Sequence, residues 1–249
     1  MNAGERTPDA QLNLRACHPD FQRYLDVNET ESATARARFA CSLDESYGTD
    51  LLQSFDVFPA ASENSPIFVF IHGGYWRGLD KASYRFTAEI FVANGMTACV
   101  LNYRLLPAVK LESVIADIQQ ALRIIRQRAA RYNVDADRII LCGHSAGGHL
   151  ALIAPLLDAE LREAIRGICS ISGLFDLEPI RNSYLNHVLR LDADTVAQFS
   201  PIDLDLSTIT CPVSVAVGLA ESELFIQQSG TSLQKISGSK ISSSCRCRI

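Results

Sequence analysis

Near the middle of the chain a serine stands between small residues, Gly143-His144-Ser145-Ala146-Gly147. The spacing G-x-S-x-G is that of a nucleophile elbow. A serine at the tip of a sharp strand-to-helix turn needs neighbours without a bulky Cβ two residues away on both sides. Its hydroxyl then stands above a sheet, at a helix N-terminus whose N–H groups favour developing negative charge. The flanks suit such a turn. Arg138 to Cys142 is largely apolar and β-branched, and Ala146, Leu150, Ile153, Ala154 and Leu157 recur at helical spacing. The chemistry this would serve is attack on a carbonyl carbon.

Acyl transfer also needs a base for the serine proton, an acid to orient the base, and donors for the oxyanion. The N–H of Ala146 directly after the serine is one candidate donor. Gly73 and Gly74, in the loop after the apolar run Ile67 to Ile71, supply others, because glycine lets backbone approach a ligand closely. The acid belongs in a loop at the carboxyl end of a late strand. Glu221, four residues beyond Val217, fits best. Glu223 stays open beside it, and Asp176 and Asp203 are weaker candidates.

These residues need a scaffold, and the chain predicts one. Strands are expected over Gln53 to Pro59, Ile67 to Ile71, Met96 to Leu101, Arg138 to Cys142, Gly167 to Ser172 and Pro212 to Val217. Helices are expected over Ser83 to Asn94, Leu111 to Tyr132 and Ala146 to Leu157. Residues 1–40 form a partly helical lead-in, and 174–200 a mixed helical insertion or cap. Strands alternating with helices, with near-continuous apolar strand runs, mean an α/β domain: a mostly parallel sheet covered on both faces.

Composition narrows the function. The 249 residues suit one large domain, taken here as 1–229, and 47% are hydrophobic. A net charge of −5 argues against a nucleic-acid surface. No uncharged apolar stretch reaches the roughly 18 residues of a membrane helix, and Met1 to Asp9 has no apolar core of a secretory signal. The eight cysteines contain no C-x-x-C pair, so zinc and dithiol sites are not expected and a reduced, cytoplasmic protein is.

His72-Gly-Gly-Tyr-Trp76, Gly143-His-Ser-Ala-Gly-Gly148 and Ser172-Gly-Leu-Phe-Asp-Leu177 together resemble the α/β-hydrolase superfamily, and within it the kynurenine formamidase branch. The likeness runs from about Leu14 to about Gln228 and takes in Asp56-Val-Phe-Pro59, Tyr103-Arg104 and Gly218 to Ser229. It implies Ser145 as nucleophile, Glu221 as triad acid, and Gly73, Gly74 and Ala146 as the oxyanion hole. The implied reaction is hydrolysis of N-formylkynurenine, a small-molecule substrate, without cofactor or metal. Tyr75 and Trp76 would shape an aromatic pocket.

The resemblance breaks at the base. A triad of this fold runs Ser, acid, His along the chain, yet His18, His72, His144, His149 and His187 all precede Glu221. His144 is expected to turn away from the Ser145 hydroxyl and His149 to lie beneath the elbow. His72 is the nearest conceivable stand-in, and His187 is remote. Loss of such a base costs on the order of 10⁶ in turnover, leaving ~10³–10⁴ over water. Residues 230–249 are serine-rich without an apolar run and are expected to be a disordered tail. The sheet would then be truncated, ending at Pro212 to Val217, a bare edge that invites aggregation or pairing in a homodimer. The rival readings are a general carboxylesterase and a hydrolase-like binding module without turnover.

Overall fold

A computed structural model describes residues 7–237 and 242–247. Its strands are β1 (Ser42–Ser46), β2 (Ser54–Phe58), β3 (Ser65–Ile71), β4 (Thr97–Leu101), β5 (Val134–His144), β6 (Ile165–Ile171), β7 (Val213–Gly218) and β8 (Ser242–Cys247). They form one eight-stranded sheet in the order β1-β2-β4-β3-β5-β6-β7-β8. The β1–β2 and β2–β4 pairs are antiparallel and every other pair is parallel. This is the expected mostly parallel α/β sheet.

Apolar residues on successive positions of β3 serve opposite faces, as strand geometry requires. Ile67, Val69 and Ile71 join one core with the helices Leu111–Gln127 and Ala146–Leu156. Phe68 and Phe70 join a second with Phe58, Tyr84, Ala98 and Val100. Leu111, Val114, Ile115, Ile118, Leu122 and Ile125 are buried along one helix, at the spacing read from the sequence. The helix Ala146–Leu156 is buried at every position, which is why its pattern is apolar all round.

Register gathers the site. Ile71 at the end of β3 pairs with Gly143 of β5, and His144 pairs with Ile171 at the end of β6. The loops after β3, β5 and β6 therefore emerge side by side at the carboxyl ends of parallel strands, where ligands bind in such sheets.

Three expectations are corrected. Ser83 to Asn94 is not one helix but a 3₁₀ turn, Lys81–Thr87, followed by a short α-helix, Ala88–Ala93. Lys81 and Arg85 both reach the buried Asp56 carboxylate of β2, at 2.8 and 2.6 Å, and these ion pairs outrank apolar spacing there. Strand β1 is polar and alternates between exposed and half-buried, so it gave no apolar signal. Finally, the sheet does not end at β7, and the stretch after Ser229 is not structureless throughout. The helix Glu223–Ser237 runs through Ser229, and β8 pairs with β7 from Val213↔Ser242 to Gly218↔Cys247. A ladder is held by backbone N–H and C=O groups, so a strand without an apolar run can complete it. With β7 paired on both sides, the sheet edge on this side is β8.

Candidate active site

The elbow is built as its spacing requires. Ser145 has φ 55° and ψ −119°, a conformation that costs a non-glycine residue about 1–3 kcal/mol. Its N–H donates to the Ile171 carbonyl at 2.8 Å, and its carbonyl accepts from Gly148 at 2.9 Å, which fixes the turn. The flanking glycines are steric necessities. A Cβ on Gly143 would lie 2.0 Å from the Gly147 carbonyl oxygen, and one on Gly147 would lie 2.0 Å from that of Ile71. Ser145 is 5% exposed, and that opening faces a cavity of about 680 Å³.

The di-glycine loop meets the serine. A Cβ on Gly73 would sit 3.2 Å from the Ser145 Cβ, so only glycine allows this approach without displacing that serine. Gly74 has φ +104°, and Tyr75 and Trp76 also have positive φ. The loop is pinned from below: the Tyr103 hydroxyl donates to the His72 carbonyl at 2.9 Å, and the Tyr103 ring stacks on the His72 ring. Among the described residues, no loop or cap hydrogen bond takes up the N–H of Gly73, Gly74 or Ala146.

Glu221 lies on the loop after β7. Its Oε1 accepts from the Gly218 N–H at 2.8 Å and from the Ser172 hydroxyl. Ser172, itself at φ 51° directly after β6, escaped the sequence reading as a partner because a lone serine after a strand carries no signal. The Glu221 charge acts on both His144 and Tyr75, which sets it close behind the cavity wall. Glu223 opens the following helix, and burial raises the pKa of Asp176, whose N–H donates to the Gln228 side-chain carbonyl. Asp203 ends a 3₁₀ turn, Pro201–Asp203.

The aromatic pair divides. Tyr75 lines the cavity and its hydroxyl donates to the Leu12 carbonyl at 3.0 Å. Trp76 does not line it. It is fully buried, edge-on to His149 at 5.1 Å between ring centroids, because the left-handed turn at Tyr75 and Trp76 folds the indole beneath the loop. The expected role of Trp76 as a pocket wall is thus replaced by a packing role. Other walls come from the N-terminal lead-in: Leu12, Arg15, Phe21 and Tyr24 face the cavity. Their polar helix pattern gave no hint of this.

The histidines are placed differently from one another. His149 lies beneath the elbow, as expected, with Nε2 2.8 Å from the Phe199 carbonyl, and burial lowers its pKa to about 4. His72 is buried with Nδ1 2.8 Å from the Gly73 carbonyl, and desolvation likewise lowers it to about 4. Neither lines the cavity. His144 shares the cavity wall with Ser145; burial lowers its pKa while the Glu221 charge draws it back up. His18 caps the short helix Leu14–Cys17, and His187 lies on the helix Asn186–Leu189. Among the described residues no group of three or more His, Cys, Asp or Glu side chains is placed to hold a metal ion. Nor is any helix among them long and apolar enough to cross a membrane.

Comparison with known proteins agrees with this architecture. The BD-FAE family profile matches residues 56–227. A kynurenine formamidase from Danio rerio is 28% identical over 214 residues, covering 82% of this chain and 72% of that protein. One from Salmo salar is 28% identical over 214 residues, covering 82% and 71%. Among solved structures, esterase B from Lactobacillus rhamnosis superposes with a TM-score of 0.74 at 20% identity, over 94% of this chain and 82% of that one. The carboxylesterase EstE1 from a metagenomic library gives 0.73 at 18%, over 99% and 88%. Elbow, di-glycine loop and sheet order, taken with a family match that spans most of the sequence, make this chain a member of the BD-FAE family with the α/β-hydrolase fold.

Proposed function

We propose that the chain is a serine hydrolase of the kynurenine formamidase type, cleaving an aryl formamide such as N-formylkynurenine, or a small ester, through an acyl-enzyme. Support comes from the formamidase and esterase names of its relatives. The observation that carries the mechanism is the juxtaposition of a strained Ser145 with the di-glycine loop, at the floor of the cavity. In this reading the Ser145 oxygen adds to the carbonyl carbon, and the resulting oxyanion is received by N–H groups of Gly73, Gly74 and Ala146. The Ser145 proton passes through water to the amine or alcohol as it leaves, and a further water then hydrolyses the acyl-serine to release the acid and restore the hydroxyl.

Glu221 takes the place of the triad acid, anchored by Ser172 and the Gly218 N–H. No histidine follows it in this chain. A triad without its base keeps ~10³–10⁴ over water from oxyanion donors and binding, so catalysis through Ser145 and Glu221 alone would be slow. A cytoplasmic setting accords with Cys17, Cys41, Cys99, Cys142, Cys169 and Cys211 being free thiols.

The test is active-site labelling with a fluorophosphonate, followed by peptide mass spectrometry. An adduct on Ser145, absent in Ser145→Ala, is expected; a chain that stays unlabelled at Ser145 would defeat the reading. Comparing turnover of N-formylkynurenine with p-nitrophenyl acetate then separates a formamidase from a general carboxylesterase. Ligand binding without turnover in either would mark a binding module.

A further inference from the structure

The cavity in front of Ser145 has a charge opposite to that of the chain. The sequence carries 28 acidic and 23 basic residues, yet among the described residues no Asp or Glu lines this cavity, and the lining residues with a formal charge are Arg15 and Arg77. Neither arginine makes an ion pair among the described residues. The Arg15 guanidinium sits 5.7 Å from the Phe21 ring centroid. The Arg77 N–H donates to the Gly74 carbonyl at 3.0 Å, which ties this residue into the turn that carries the oxyanion donors. Its charge is felt by the phenols of Tyr75 and Tyr184, both on the cavity wall.

Two carboxylates whose charge acts on residues of this wall, Asp9 on Tyr184 and Glu221 on Tyr75, are already engaged. Asp9 accepts from the Tyr184 N–H at 2.6 Å, and Glu221 from Ser172 and Gly218. A guanidinium without a carboxylate partner, set among aromatic rings, is suited to a planar anion, which it can grip with two parallel hydrogen bonds. The rest of the wall, with Phe21, Tyr24 and Tyr84, suits an aromatic body.

We propose that Arg77, assisted by Arg15, makes this site selective for aryl amides or esters that carry a carboxylate, by holding that carboxylate while the scissile carbonyl lies over Ser145. The inference rests on the hydrolase reading of the same cavity. It assigns the arginines a specificity role in binding and none in the bond-breaking step.

Calorimetric titration with two isosteric probes tests it: 4-formamidobenzoate, an anion, and 4-formamidobenzamide, its neutral counterpart. The unmodified chain is expected to bind the anion about tenfold more tightly, with the preference shrinking as salt rises. Arg77→Gln should bring the two affinities together, and Arg77→Lys should keep part of the difference. Equal affinities in the unmodified chain, binding of neither probe, or a preference that survives in an Arg15→Gln, Arg77→Gln double variant would each overturn the proposal. Fluorophosphonate labelling of Ser145 in the same samples reports on the hydrolase reading separately, because it requires a reactive serine and no anion.

Discussion

The Ser172 hydroxyl donates a hydrogen bond to the Glu221 carboxylate, linking the residue after β6 to the loop after β7. The same oxygen of Glu221 takes the Gly218 N–H, so the carboxylate is held by two donors from neighbouring strand ends. Ser172→Ala removes one of them from a half-buried carboxylate. A loss of about 1–2 kcal/mol is expected in urea unfolding, along with slower fluorophosphonate labelling of Ser145. Unchanged labelling would separate Glu221 from the activation of the serine.

The glycines of the elbow and of the last helix should respond in opposite ways. Gly147→Ala puts a Cβ 2.0 Å from the Ile71 carbonyl oxygen, and overpacking of this kind costs about 1–3 kcal/mol or more. Gly230, within the helix Glu223–Ser237, has no atom within 4 Å of an added Cβ. Gly230→Ala should therefore raise stability by about 0.5–1 kcal/mol through helix propensity. Thermal melts of the two variants against the parent chain check both signs.

Trp76 is a packing residue, and its removal should read as one. Trp76→Ala is expected to cost about 3–5 kcal/mol of unfolding free energy. Trp76→Phe, which keeps a ring against His149, should leave the relative affinities for aromatic probes unaltered. A change in probe preference without loss of stability would return the indole to the cavity wall.

Acid should weaken the fold through its buried histidines, His72 and His149 most strongly. Burial holds His72 and His149 near 4, below the ordinary 6.5. Between those values the unfolded chain takes up protons that the folded chain refuses. Stability therefore rises with pH across this window and is lost as pH falls through it. Each histidine contributes on the order of 3 kcal/mol by pH 4. His149→Gln, whose amide can still donate to the Phe199 carbonyl, should make the decline between pH 6.5 and 4 less steep in chemical denaturation.

Much of this architecture was legible in the sequence because periodicity reports burial. Ile67 to Ile71 is apolar without a break because β3 is covered on both faces, and the helix Leu111–Gln127 shows its buried stripe directly. The elbow was legible for a steric reason, since only glycine fits at positions 143 and 147. Elements placed by backbone pairing or by buried charge were not. β1 and β8 carry no apolar run, and the Lys81–Thr87 turn is organised by Asp56, distant in sequence. Within the site, Ser172 and Arg77 were missed because their importance comes from what the fold brings beside them. Trp76 was misplaced because its turn sends the side chain inward, and no spacing rule encodes that.

The bond from the Tyr103 hydroxyl to the His72 carbonyl joins the segment just after β4 to the segment just after β3. The amides that would receive an oxyanion are therefore fixed before any ligand arrives. Little reorganisation energy is needed when negative charge appears on the substrate, and that saving is realised at the barrier itself. Tyr103 does not line the cavity, yet its hydroxyl bonds to the His72 and Gly73 carbonyls help set how rigid a receptor a ligand would meet.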